Sequence, residues 1–326
     1  MLKLNTQNSK HQLLATQKSH SNTTLNDHAT LTLTNTSFSS NNSLSKTHIL
    51  LKNSLDIHLD YLRISSTDLT KKDLTNLRNY LFSETVSKTI NKPWHPHPRT
   101  SNHKKYDYRI VSRTGIVLSV KKRAKFKGRN TRYVYDIMID FTGAYFADLS
   151  LLKQLELIYY LNSNYQLDCH RIDVAIDDYS RELFPVDKMI IAYLEDNQYG
   201  FQLIDDNYLD IVNNKFIGTL GIGSRRSSFF IRIYTKHRLL VRWETELKQN
   251  KAQNLFNKLA ELITVENQDT LIVKAMVKTL LDAAICEIDF RDNKYYTNKR
   301  YARKNKTEQL PFWQSFIAKI YSLLEN

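Results

Sequence analysis

Two cysteines in 326 residues, Cys169 and Cys286, cannot build a disulfide framework or, by themselves, a four-ligand zinc site. Glycine occurs 7 times and proline 5, which excludes a collagen-like chain. No run approaches the roughly 18 apolar residues that a membrane span requires. Acid is also scarce: 33 Asp and Glu stand against 47 Lys and Arg, a net charge of +14. Such an excess repels itself unless the partner is an anion, and nucleic acid is the commonest one. A membrane surface is the other large anion, but no long basic amphipathic helix with aromatic anchors accompanies the charge. Tyrosine, by contrast, is abundant at 19.

The length suits one large or two ordinary domains. Residues 1–52 read as a tail: Ser, Thr and Asn fill 24 of the first 50 positions and Asp27 is the only acid there. Such a segment has little to bury, so disorder is expected. An organelle transit peptide is the rival reading, weakened because the first arginine is Arg63. Residues 53–326 read as one domain. Ile57–Ile64 alternates apolar and polar residues as a half-buried strand does. Ser65-Ser-Thr-Asp68 then precedes an amphipathic helix over 69–82. Strands are expected at 106–120, 133–141, 170–178, 229–236 and 239–247, and helices at 149–161, 186–194, 251–262 and 271–285. Hairpin-linked strands among helices imply an α+β fold around a mostly antiparallel sheet flanked by helices.

Charge is concentrated. Between Arg99 and Arg132 there are 12 Lys or Arg and one acid, Asp107. Lys121, Lys122, Arg123, Lys125, Lys127 and Arg129 fall in that stretch beside Phe126 and Tyr133. Cations neutralise phosphates and release counterions, and aromatic faces stack on unpaired bases. A second basic run spans Lys294–Lys306.

The chemistry-bearing stretch is Arg171-Ile-Asp-Val-Ala-Ile-Asp-Asp-Tyr179. In a strand Asp173 and Asp177 share one face with the small Ala175 between them. Two carboxylates that close raise each other's pKa unless a cation intervenes, and Mg²⁺ or Mn²⁺ would suit them. Arg242-Trp-Glu-Thr-Glu246 adds Glu244 and Glu246 on one face, so a third carboxylate can approach if the strands pair. Between the two lies Gly221-Ile-Gly-Ser-Arg-Arg226, where Ser224, Arg225 and Arg226 can meet a phosphate. In the strand after it, Tyr234 stands between Arg232 and Lys236 on one face. Cationic neighbours favour phenolate, which a tyrosine nucleophile requires. His95 and His97 stand in Trp94-His-Pro-His-Pro98, whose prolines argue for a loop rather than a metal-binding strand.

In this order, R-I-D-V-A-I-D-D-Y, G-x-G-S-R-x-S-x-x-x-x-R-I-Y-x-K and R-W-E-x-E-L resemble the Rep_trans family of plasmid rolling-circle replication initiators. Ile288-Asp-Phe-Arg291 and Leu310-Pro-Phe-Trp313 are similar to that family's ending. The resemblance spans roughly 56–320 and implies a core related to the HUH endonucleases, with acids in place of the histidine pair. It implies a DNA nickase in which Tyr234 attacks the scissile phosphate, aided by Arg232 and Lys236. The product would be a 5′-phosphotyrosyl link and a free 3′-hydroxyl primer. Asp173, Asp177 and Glu244 match the acidic positions for the metal. Partners implied are plasmid origin DNA, a host helicase and polymerase, and a second copy of the chain, in the cytoplasm or an organelle stroma. The hairpin near 120–132 and the basic C-terminal run are the candidates for duplex origin binding. Two other readings stand: a tyrosine recombinase or type IB topoisomerase, which needs no metal, and a DNA- or RNA-binding module with no covalent step.

Overall fold

The alternating segment that opens the domain forms β1 (Leu55–Leu69), which lies inside an antiparallel sheet rather than at its edge. The computed structural model describes residues 55–83, 87–92, 106–127, 130–194, 198–199, 203–205, 209–212, 215–236, 240–264, 269–286, 288–291 and 308–325. The expected tail, the His95/His97 pair and the basic run at 294–306 lie outside them.

The other strands are β2 (Ser87–Ile90), β3 (Tyr108–Ser112), β4 (Ile116–Lys127), β5 (Asn130–Phe141), β6 (Asp168–Asp178), β7 (Gln198–Tyr199), β8 (Leu203–Asp205), β9 (Leu209–Val212), β10 (Lys215–Gly223), β11 (Phe229–Lys236), β12 (Leu240–Lys248) and β13 (Asp289–Phe290). The main sheet runs β2-β3-β4-β5-β1-β6-β12-β11-β10-β8, with β9 also on β10, and β7 pairs with β13 separately. The pairs are antiparallel. The helices are α1 (Lys71–Phe82), α2 (Gly143–Ala147), α3 (Leu151–Asn164), α4 (Val186–Leu194), α5 (Asn250–Glu261), α6 (Asp269–Ile285) and α7 (Pro311–Glu325). This is the α+β, mostly antiparallel architecture that the strand and helix pattern implies.

One face of the sheet is apolar. Leu59, Leu62, Ile172, Val174, Ile176 and Trp243 are fully buried there, beneath α2, α3, α5 and α6. Each such side chain contributes about 1.5–3 kcal/mol on leaving water. Trp243 also stacks with Trp313 and Phe316 of α7 and meets Phe184, so the C-terminal helix closes the same core.

Three local features differ from the sequence expectation. The 106–120 segment is two strands, because Gly115 takes φ +97° and turns the chain; a Cβ there would stand 2.1 Å from the Thr142 hydroxyl. The helix expected from Leu69 starts at Lys71, since β1 continues through Ser65–Asp68 and Thr70 is the cap. Its side chain accepts from Asp73 N–H while the Asp73 carboxylate accepts from Thr70 N–H. Finally, β1 carries a bulge between Leu59 and Tyr61 against Val174 and Asp173, with Asp60 the extra residue. Gln154 of α3 accepts from Leu59 N–H at that point (3.3 Å). The bulge puts Asp60 and Tyr61 on the same face, so β1 presents Asp56, His58, Asp60, Tyr61 and Arg63 opposite the core.

Thr245 ties α6 to β12: its hydroxyl donates to the Ala284 carbonyl (2.8 Å) and accepts from Trp243 Nε1 (3.0 Å). Thr245→Val keeps the shape but strips both bonds from a fully buried site. The expected loss is about 1–3 kcal/mol of unfolding free energy, measured by urea titration.

Candidate active site

Strand pairing lays the polar residues out in rows across the second face of the sheet. One row runs Thr219, Tyr234, Arg242, Asp177 and Asp56 from β10 to β1. The next runs Gly221, Arg232, Glu244, Ala175 and His58. The third runs Gly223, Phe230, Glu246, Asp173 and Tyr61. Sequence spacing within a strand placed these residues on one face; the register decides which of them meet.

Arg242 joins the first row together. Its Nε and Nη2 donate to both oxygens of Asp177 (2.5 and 2.6 Å), and Nη1 donates to Asp60 (2.6 Å). Burial works against its charge, but Asp177, Asp60 and the Tyr234 oxygen outweigh it, so the guanidinium stays protonated at any ordinary pH. Nη2 also lies 3.3 Å from His58 Nε2. A guanidinium only donates, so Nε2 accepts and a neutral imidazole carries its proton on Nδ1. That Nδ1 is buried without a hydrogen bond, with an Asp56 oxygen 3.3 Å away.

In the second row Glu244 is held by Arg232 on one oxygen, and the other accepts from the Tyr234 hydroxyl (2.9 Å). Tyr234 is half-buried at the open side of this face. Burial first, then the Glu244 charge, pushes its pKa well above the ordinary phenol value, with Arg242 pulling the other way. This corrects the expectation of a phenolate stabilised by same-strand cations. Arg232 is committed to Glu244, and the carboxylate reaches the phenol oxygen instead. The tyrosine is a neutral phenol bonded to a base.

Asp173 lies apart from both rows. Arg171 grips it with two bonds (2.7 and 2.5 Å) and reaches Glu246 (3.0 Å), while Lys248 meets the other Glu246 oxygen (2.6 Å). The three acids expected to share a metal therefore do not converge. Asp173, Asp177 and Glu244 each pair with a different arginine. The set that does converge among the described residues is Asp56, His58 and Asp177, whose ligand atoms lie within 4.8 Å of one another. Asp56 and His58 went unnoticed as ligands because the alternation of β1 gives no sign of which strand lies beside it. The legible signal was the Asp-x-His spacing itself, two ligand types on one strand face.

The turn after β10 holds Ser224, whose hydroxyl accepts from Arg226 N–H (3.1 Å). Arg225 and Arg226 are exposed, and Arg225 packs over the Phe230 ring (5.3 Å). Phe230 is four residues from Tyr234 along β11, roughly 13 Å. The turn thus stands at the far end of the strand, and Arg225 is not beside the phenol oxygen. Lys236 is half-buried on the tyrosine's face. In the β4–β5 hairpin, Arg123 pairs with Asp136 and Asp68, and Lys125 with Asp68; Lys121 and Lys122 precede them on the same arm. The Lys127 side chain and Arg129 lie outside the described residues.

No family model matches the chain, and neither does any curated protein. A solved structure does: the rolling circle replication initiator protein from Geobacillus stearothermophilus superposes with a TM-score of 0.52 at 18% identity. The match covers 82% of this chain and 96% of that one. The two share a fold.

Burial raises the Asp173 carboxyl to about 6, against the pull of Arg171 and with a further push from Glu246 and Glu244. The folded chain then binds a proton at a higher pH than the unfolded chain, whose carboxyl titrates near 3.8. Between those values stability falls as pH rises, because the native state holds more protons there. Asp173→Asn is expected to flatten that fall, by up to about 3 kcal/mol. Denaturant titrations from pH 4 to pH 7 measure it.

Proposed function

We propose that the chain is a rolling-circle replication initiator of the Rep_trans kind, a site-specific DNA nickase and strand-joining enzyme with Tyr234 as nucleophile. The observation that carries this reading is the Tyr234–Glu244–Arg232 chain on the open polar face. Support comes from the shared fold with a rolling circle replication initiator, and from the net charge of +14.

The chemistry follows from the contacts. As the phenol oxygen approaches phosphorus, its proton passes to Glu244, which already accepts it as a hydrogen bond. Arg232 fixes the carboxylate so that its free oxygen faces the tyrosine. The oxygen–phosphorus bond to the tyrosine forms as the bond to the 3′ oxygen breaks. The departing oxygen takes up a proton and becomes a 3′-hydroxyl. Because the phosphodiester energy is kept in the tyrosyl ester, the strand can be rejoined without ATP. Lys236 and Arg232 face the region where negative charge builds on the phosphate.

Asp56, His58 and Asp177 fit a divalent cation. They combine two carboxylates with a buried imidazole, whose proton would have to shift from Nδ1 to Nε2, giving up the Arg242 contact, before Nδ1 could bind the ion. A mixed oxygen and nitrogen set suits Mn²⁺ better than Mg²⁺. When bound, such an ion polarises a nonbridging phosphate oxygen. Arg242 stands between Asp177 of this set and Tyr234 in the same row, bound to the first and paired across the strands with the second. Origin DNA is the substrate in this reading, and a helicase, a polymerase and a second copy of the chain are the partners that the family resemblance implies.

The test incubates the protein and a divalent cation with supercoiled plasmid bearing the origin. Denaturing electrophoresis then reads a covalent adduct, and mass spectrometry locates it. Wild type is expected to form a 5′-linked adduct on Tyr234. Tyr234→Phe should lose the adduct but bind DNA normally, and Glu244→Gln should slow adduct formation by roughly 10²-fold or more. A 3′-linked adduct unaffected by EDTA would make the enzyme a recombinase or type IB topoisomerase; full nicking by Tyr234→Phe would remove the assignment.

A further inference from the structure

The β4–β5 hairpin has two faces of different character. Arg123, Lys125 and Arg132 share the face that continues the polar surface, and two of these cations are tied down. Arg123 binds Asp136 with two hydrogen bonds of 2.7 Å and Asp68 with one of 2.8 Å, while Lys125 binds Asp68 at 3.0 Å. Asp68 sits at φ +63°, a backbone state that brings its carboxylate to both partners at the end of β1. This side of the hairpin is clamped to the body of the sheet.

The other face continues the core. Leu118, Val120, Ile137 and Ile139 are fully or almost fully buried on it beneath the helices. Further along the same two strands come Lys122 opposite Tyr135, Ala124 opposite Tyr133, and Phe126 opposite Thr131. Here the cover ends: Phe126 is 75% exposed and Tyr133 57%. The Lys122 ammonium lies over the Tyr133 ring at 3.8 Å. Two large rings are thus presented to solvent on a rigid ladder, with a cation beside them, in a stretch of 7 Lys or Arg and no acid from 121 to 135.

We infer that the Lys122–Tyr133–Phe126 face of the hairpin is a stacking platform for unpaired nucleotides, separate from the surface around Tyr234. Planar rings left uncovered beside cations match the two parts of a single-stranded nucleotide, the base face and the phosphate. An unpaired strand suits the surface better than a duplex, whose bases offer no open faces. The hairpin projects from the end of β1 opposite Asp56, and its Lys122–Tyr133–Phe126 face is on the other side of the sheet from Tyr234. It therefore engages a different segment from the one that is cut. The inference rests on reading the chain as a nucleic-acid enzyme.

Fluorescence anisotropy with labelled oligothymidylate and with a labelled duplex tests it, in a Tyr234→Phe background so that no strand is cut. Phe126→Ala and Tyr133→Ala are each expected to weaken single-strand binding roughly tenfold. Phe126→Tyr should restore it, and duplex affinity should stay within about twofold. Phe126→Trp should show indole fluorescence quenched by oligothymidylate, a direct sign of stacking. Unchanged single-strand affinity in the double alanine variant overturns the inference. Equal losses for duplex and single strand overturn it in favour of groove contact, and a variant-dependent change in sedimentation overturns it in favour of self-association. Failure of Tyr234 to form an adduct, with quenching of the Phe126→Trp variant intact, would instead remove the nickase reading and leave the platform standing.

Discussion

A buried guanidinium organises the polar face. Arg242 is 3% exposed and holds Asp177 and Asp60 while touching His58, so three chemistry-bearing side chains from two strands are positioned by one cation on a third. An uncompensated carboxylate in such a place is costly, and losing one member of a buried pair typically costs about 3–5 kcal/mol. The fold therefore has to bring β12 beside β6 and β6 beside β1 in one register only. Gly143 shows how tight that fit is. A Cβ there would stand 2.7 Å from the Asp60 carboxylate and 3.1 Å from its backbone oxygen. The first residue of α2 is glycine because Asp60 occupies the space.

The sheet architecture was legible because strands with one apolar face announce themselves by alternation, and those around the site did. The bulge in β1 was legible too, though only as a slip. Leu55, Ile57 and Leu59 fall on one parity and Leu62 and Ile64 on the other, so one extra residue must lie between them. As one unbroken alternation, 57–64 hides it. Pairing partners were not legible. Aspartates four apart on one strand face look like a joint metal site, whereas Asp173 is taken by Arg171 of its own strand and the register gives Asp177 to Arg242. The slip is also what brings Asp60 and Tyr61 together onto the polar face, where the alternation rule would have sent one of them into the core.

The state of the tyrosine was misjudged for a related reason. Same-strand neighbours on one face are two residues apart, roughly 7 Å, while cross-strand neighbours stand about 5 Å apart. Arg232 and Lys236 are the former. Glu244 reaches Tyr234 diagonally from β12 and bonds it directly, so burial and its charge together keep the proton on the phenol. In the proposed function, a neutral phenol against a carboxylate is a resting nucleophile. It surrenders its proton only when an electrophile makes that favourable, which limits unproductive reaction between encounters with substrate.

A second tyrosine tests whether this arrangement alone marks the nucleophile. The Tyr61 hydroxyl donates to Asp140, and Arg63 holds the same carboxylate oxygen, so tyrosine, acid and arginine recur elsewhere on the same face of the sheet. What differs is access. Arg171 lies over the Tyr61 ring at 4.7 Å and Arg63 at 5.6 Å, so guanidinium groups occupy the approach to the ring. Its acid and arginine neighbours are pair-bonded among themselves, and no cluster of metal-ligating atoms among the described residues includes its row. Tyr234 instead pairs with Arg242 across the strands, and through Arg242 with Asp177 of the Asp56–His58–Asp177 set. The same local chemistry is built twice, and under the proposed function only the copy next to the converging ligands would act on a phosphate that they orient.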